Sequence, residues 1–218
     1  MTTPLATLLA LGHPSLESVL LALAGELGAS EADVAALHAG IGGLSDRLDD
    51  GVRDPAGQLD QLSERVGDEF EAVSDGSRRA DFDDLRPDTA LRERAGDELT
   101  VPALVAAAGQ RRGWSVEVVT GARRAVVAHT ALDADLVLSP RYHGRIVEAA
   151  DLGDEELSWR CAHEVAGALI DRLDERAARI GQSVMLERVR ELALSLPLAK
   201  REMQARRVAL HRARSAWN

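Results

Sequence analysis

Cysteine is nearly absent from the chain. Cys161 is the only one, so no intrachain disulfide can form, and a reducing compartment is the expected setting. Aromatic residues make up 3% of the 218 residues, so the core must be built from Leu, Val and Ala, a composition that favours helices. No apolar run approaches the roughly 20 residues of a membrane span, and no basic stretch precedes the apolar residues near the N-terminus. Basic residues are outnumbered, 26 to 36, for a net charge of −10, which argues against a nucleic-acid backbone as partner. These absences leave a cytoplasmic protein with no membrane and no nucleic-acid partner as the expectation. At this length the chain can hold a real core.

What is present is periodicity. Residues 4–11 and 15–27 carry apolar faces at helical spacing, with Ser15 as a start and Gly28 as a stop. Ser30 with Asp33 forms a capping signal for a helix whose stripe is Leu37, Ile41, Leu44 and Leu48, with Gly42-Gly43 inside it and Gly51 after it. Asp54-Pro55 restarts the helical pattern, with Leu59, Leu62, Val66 and Phe70 facing inward. Residues 74–87 are polar and rich in Asp and Arg and are expected to form a loop.

The central stretch is 91–139. Leu99, Val101, Leu104, Val105 and Ala108 recur at three- and four-residue steps and predict a helix that ends at Gly113 after Arg111-Arg112. Three β-rich runs follow, 114–120, 125–130 and 135–139, broken by Gly121 and by 132–134, and a fourth covers Arg145–Glu148. A helix packed on an antiparallel meander is the simplest arrangement. From Asp154 the pattern is helical to the end. One stripe is Leu157, Cys161, Val165, Ala168 and Leu169, which makes Cys161 a buried small apolar residue. A second stripe is Met185, Val189, Leu192 and Leu194, and a last Arg-rich helix starts at Pro197 and ends near Trp217. The expected class is α+β, with an N-terminal helical segment (1–75), a core helix with an antiparallel sheet (76–150), and a C-terminal helical segment (151–218).

The middle of the chain resembles the transglutaminase-like superfamily of papain-like fold, and within it the SirB-type bacterial branch, whose members mostly lack the nucleophile. Arg92, Arg94 and Gly96 match the approach to the family's core helix, and Gly113 with Val116-Glu117 matches its exit. Ala128-His129 falls where the family His stands, and Ser139-Pro140 where its Asp-Pro stands. Arg47-Leu48, Asp54-Pro55 and Glu69-Phe70 extend the resemblance upstream, and the paired helices after 154 resemble the family's tetratricopeptide-like tail. The resemblance implies a transglutaminase-like core. It also places Glu98 at the nucleophile's position, and Ser139 at that of the orienting Asp. Of the three catalytic positions only His129 keeps the family residue. With no thiol on which a helix N-terminus can act, the chain is expected to be a non-catalytic binding or regulatory protein, with a protein or peptide partner, or a small metabolite, and no cofactor.

The resemblance brings Glu98 and His129 within hydrogen-bonding reach, which gives the alternative of an enzyme using them as acid and base on a small metabolite. The structural alternative is a favourable carboxylate in a helix's first turn. Arg141, Tyr142 and His143 share one turn and with Arg145 can grip an anion, or simply be solvated. His163-Glu164 resembles the start of the zinc-peptidase motif His-Glu-x-x-His, which gives a second alternative, a degenerate zinc-peptidase relative using these two residues, but Gly167 stands where the second His belongs, so no metal is expected. Gly121 to Arg124 is expected to be a hairpin tip, not a phosphate loop. The basic last helix (Lys200, Arg201, Arg206, Arg207, Arg212, Arg214) offers a face to an acidic partner or to a second copy of the chain.

Overall fold

The computed structural model describes residues 3–74, 82–121, 124–153, 156–197 and 200–215. The expected loop over 75–81, the hairpin positions 122 and 123, the helix start at Asp154 and the chain end at Trp217 lie outside the described residues.

Four helices come first: α1 (Leu5–Leu9), α2 (Leu16–Glu26), α3 (Glu31–Asp46) and α4 (Pro55–Glu69). Their starts are set by local chemistry. Ser15 accepts from the Ser18 N–H, Ser30 and Asp33 complete a reciprocal capping box, and Asp54 accepts from the Gly57 N–H ahead of Pro55. The helix α3 runs unbroken through Gly42-Gly43 and ends at Asp46, short of Gly51. Its stripe of Leu37, Ile41 and Leu44 is buried, and the helix packs against α2.

Strand β1 (Ala72–Ser74) pairs in parallel with β2 (Ala95–Asp97), and α5 (Pro87–Arg92) lies between them in the chain. The loop expected over 74–87 falls between β1 and α5; of its described residues, Phe82–Leu85 form a 3-10 turn. Arg94, at φ 54°, turns back to donate to the carbonyls of Glu69 and Asp68 at the end of α4, where a cation meets the negative helix terminus.

Helix α6 (Thr100–Arg111) is the predicted core helix and is buried on every side from Thr100 to Gly109. Its Ala-rich sequence lets neighbours come close: a Cβ on Gly109 would stand 2.5 Å from Val116 of the next strand. Strands β3 (Val116–Thr120), β4 (Ala125–His129), β5 (Leu136–Ser139) and β6 (Arg145–Glu148) form the expected antiparallel meander. A fifth strand, β7 (Ser158–Arg160), adds to the outer side of β3, giving the order β6-β5-β4-β3-β7. One face of the sheet, with Val116, Val118, Val127 and Leu138, joins the main apolar core under α4 and α6. The other face, with Val119, Val126, Ala128 and Val137, is covered by Leu152, Leu157 and Trp159.

Helices α7 (Ala162–Ile180), α8 (Ser183–Ala193) and α9 (Lys200–Ser215) finish the chain, packed in succession, with α7 also against α2. The helical pattern expected from Asp154 is corrected at its start, since it begins only at Ala162, after β7. Leu157 belongs to the small cluster on the sheet's outer face, and 158–160 are strand. Cys161 caps α7 and is exposed, not buried, because the helix begins one residue after it. Among the described residues no helix is long and apolar enough to cross a membrane.

Candidate functional site

Glu98 lies in the turn between β2 and α6, one residue ahead of the cap residue Leu99, and so outside the helix's first turn. The acid before it, Asp97, is fully buried and accepts from the Leu99 N–H at 2.9 Å. Both acids are met by α7. Arg172 Nη1 donates to Asp97 Oδ1 at 2.6 Å, its Nη2 to Glu98 Oε1 at 3.4 Å, and Arg176 Nη2 stands 4.0 Å from Asp97 Oδ2. Glu98 Oε2 is buried with no hydrogen-bond partner. Burial, which outweighs Arg172, pushes the Glu98 carboxyl up to about 7; Asp97 pushes the same way, and Arg141 opposes it.

His129 ends β4 on the sheet face that looks at α4. Its Nδ1 accepts from the Ala131 N–H at 3.1 Å, and its Nε2 lies 3.0 Å from Gln58 Oε1. Gln58 is oriented by its own amide, which donates to the Val52 carbonyl at 3.0 Å. The imidazole is therefore held as the neutral tautomer with the proton on Nε2, and burial lowers its pKa. Both ring nitrogens are in use, and neither bonds Glu98.

Ser139 is buried at the end of β5. The register pairs Val127 with Leu138 and Ala128 with Val137, which puts Leu136 opposite His129. Ser139 lies three positions further on, roughly 10 Å along the strand and on the opposite face of the sheet. The expected contact between Glu98 and His129 is corrected by this geometry, and Ser139 does not stand beside His129 as its family position implies.

Arg141, Tyr142 and His143 do share a turn, a 3-10 turn at Pro140–Tyr142 followed by His143 at φ 54°, and all three are exposed. Of the three, Arg141 reaches Glu98 electrostatically. His163 Nε2 lies 3.2 and 3.1 Å from the Leu9 and Leu11 carbonyls, where it pins the end of α1 to α7. Glu164 accepts from the Cys161 N–H and pairs with Arg160. These jobs occupy both members of the broken zinc-peptidase motif, and among the described residues no group of three or more His, Cys, Asp or Glu is placed to hold a metal.

The open space lies elsewhere. A cleft of about 600 Å³ runs along one face of α7, past His163, Gly167, Ala168, Asp171 and Arg172. The tip of the β3–β4 hairpin, with Thr120 and Arg124, forms one wall. Helix α9, with Glu202 and Arg206, and the turn at Leu196-Pro197 form the other. Its floor is small and apolar and its walls carry charge. Glu98 does not line it, but its neighbours Leu99 and Arg172 do. Arg206 is spent on Asp171 at 2.8 Å and Glu202 at 3.2 Å, and Arg160 on Thr120 and Glu164. Arg124 makes no ion pair with the described residues.

Sequence reasoning missed Asp97, Arg172, Arg176 and Gln58. A signal for Arg176 existed: the position falls in the apolar stripe of α7 with Val165, Leu169 and Leu173, and a buried Arg requires an acid from elsewhere.

The fold and its sites define a mostly helical α+β chain with a five-stranded antiparallel sheet, a two-stranded parallel pair and a charge-walled cleft. No family model matches the chain, and no curated protein matches it. Among solved structures it is similar to menin, in a crystal structure described as revealing the binding site for Mixed Lineage Leukemia (MLL) protein. The likeness has a TM-score of 0.53 and 13% identity, and it covers 95% of this chain and 60% of menin. The chain thus spans about three fifths of that protein's length, and at this identity the likeness speaks for the fold.

Proposed function

We propose that the protein is a non-catalytic transglutaminase-like binding protein that clasps an extended peptide or a small ligand in the cleft along α7. The observation that carries the non-catalytic part of this reading is the dispersal of the reactive positions; the transglutaminase-like part rests on the sequence resemblance alone. Glu98 is tied to Arg172, His129 is held neutral between Gln58 and Ala131, and Ser139 stands across the sheet. None of the three lines the open cleft. A scaffold that keeps a groove without a nucleophile retains binding and loses turnover. The likeness to menin, itself described as having a binding site for another protein, supports a scaffold role by analogy of fold.

The competing reading, acid/base chemistry by Glu98, draws on a carboxyl pushed up to about 7, a value suited to proton transfer. Against it stands access, since Glu98 is 5% exposed. A thermal-shift survey of peptides and metabolites, followed by mass spectrometry of each hit, separates the two. Hits that bind and come back unchanged support the binding protein. A hit that is converted by the wild type, and bound but left intact by Glu98→Gln, overturns it.

A further inference from the structure

We infer that the α7 cleft takes an acidic, extended peptide segment whose carboxylates are received by Arg124 on the hairpin wall and Arg172 at the cleft's inner end. The inference rests on the binding-protein reading and names the ligand chemistry.

Three observations lead to it. The first is shape. From His163 to Arg172 the helix face extends about 14 Å, the length of some four residues of extended chain. Gly167 and Ala168 keep its middle low, and a Cβ on Gly167 would meet only Leu196, at 3.8 Å. A backbone with small side chains can lie there.

The second is charge. The protein carries −10 overall, yet four arginines surround this cleft. Two of them are consumed by Glu164, Asp171 and Glu202. Arg124 is left without an acid among the described residues, and Arg172 has one short bond, to Asp97, and one long one, to Glu98. Arg124 presents a fork with no acid among the described residues, and Arg172, though already met by Asp97 and Glu98, keeps further N–H donors; both suit a peptide carboxylate. Three wall acids interspersed with them repel a uniformly charged polyanion, so the pattern favours a peptide with spaced carboxylates over a nucleic acid.

The third is support. Asp97, itself buried and also faced by Arg176, holds Arg172 from behind, so the Arg172 guanidinium is fixed before a ligand arrives, and less freedom is lost on binding.

The experiment uses the full chain and two fluorescent octapeptides, one alternating Glu and Ala, the other alternating Gln and Ala. Fluorescence anisotropy at low salt should show the Glu peptide binding at least about tenfold more tightly than the Gln peptide. Arg124→Gln should weaken the Glu peptide about fivefold to tenfold and leave the Gln peptide unchanged. Arg172→Lys keeps the charge next to Asp97, so the chain stays folded; it loses the fork and should also weaken the Glu peptide. Equal binding of both peptides overturns the charge assignment and leaves the binding-protein reading standing. Inorganic phosphate displacing the Glu peptide at equal concentration, or an Arg124→Gln protein that binds the Glu peptide like wild type, overturns the inference as well. Binding of neither peptide overturns it, and the thermal-shift survey then decides whether any ligand binding remains.

Discussion

Glu98 has lost most of its water and gained one long guanidinium contact. That exchange does not cover the cost of its charge, and the carboxyl titrates near 7 in the folded chain against an ordinary 4.5. A raised carboxyl holds its proton more tightly folded than unfolded. Stability therefore falls as pH rises from about 4.5 to about 7, and the full cost, on the order of 3 kcal/mol, stands above that. Glu98→Gln removes the titration, so urea midpoints should show the variant more stable than wild type at pH 8, with the gain shrinking towards pH 5. A constant difference across that range would refute a titrating Glu98. His129 works in the other sense. Burial lowers its pKa below 6.5, so its contribution is complete above 6.5 and is lost as pH falls towards the lowered value. The two oppose each other below 6.5, and above it Glu98 alone acts, so their joint contribution is still falling as pH passes through neutrality.

Helices α4 and α6 decide where the sheet can sit, and glycines mark the closest approaches. At Gly144, φ is +75°, and a Cβ would stand 2.6 Å from the Ser63 carbonyl of α4 and 2.9 Å from Val66. At Gly113, φ is +83° with nothing within 4 Å. Gly113→Ala should cost about 1 kcal/mol, from backbone strain alone, and Gly144→Ala at least about 2 kcal/mol more, in denaturant unfolding. Equal losses would mean that the turn after β5 is not seated on α4.

The same elements show what a sequence discloses. The capped helices, the core helix and the four-strand meander were legible, because caps, breakers and a periodicity of 3.6 or 2 are local signals. The strands β1, β2 and β7 were not. Each has three residues, too few for a period, and each exists because a distant partner satisfies its backbone. Cys161 was misplaced for that reason: once 158–160 pair with β3, the helix must start later, and the thiol falls on the cap. The site was less legible still. Glu98, His129 and Ser139 were identified by resemblance, but the partners of Glu98 and His129 come from α7 and α4, which only the tertiary fold brings near.

One apolar cluster runs from Leu5 to Leu196 and takes in helices α1 to α8 and both sides of the chain's centre. The ion pairs of Arg172 and Arg176 with Asp97 tie the C-terminal helices to β2 within it. The three segments distinguished in the sequence share a core, so unfolding should be a single cooperative step. Far-ultraviolet circular dichroism and tryptophan fluorescence should then give the same denaturation midpoint, and two resolved midpoints would show that the C-terminal helices melt on their own.

The lone thiol has a practical consequence. Cys161 is exposed at the start of α7, next to Arg160, which lines the cleft. A maleimide dye added to the wild-type chain can attach at one place only, so every labelled molecule would carry its fluorophore one residue from the cleft lining, as a built-in reporter of its surroundings.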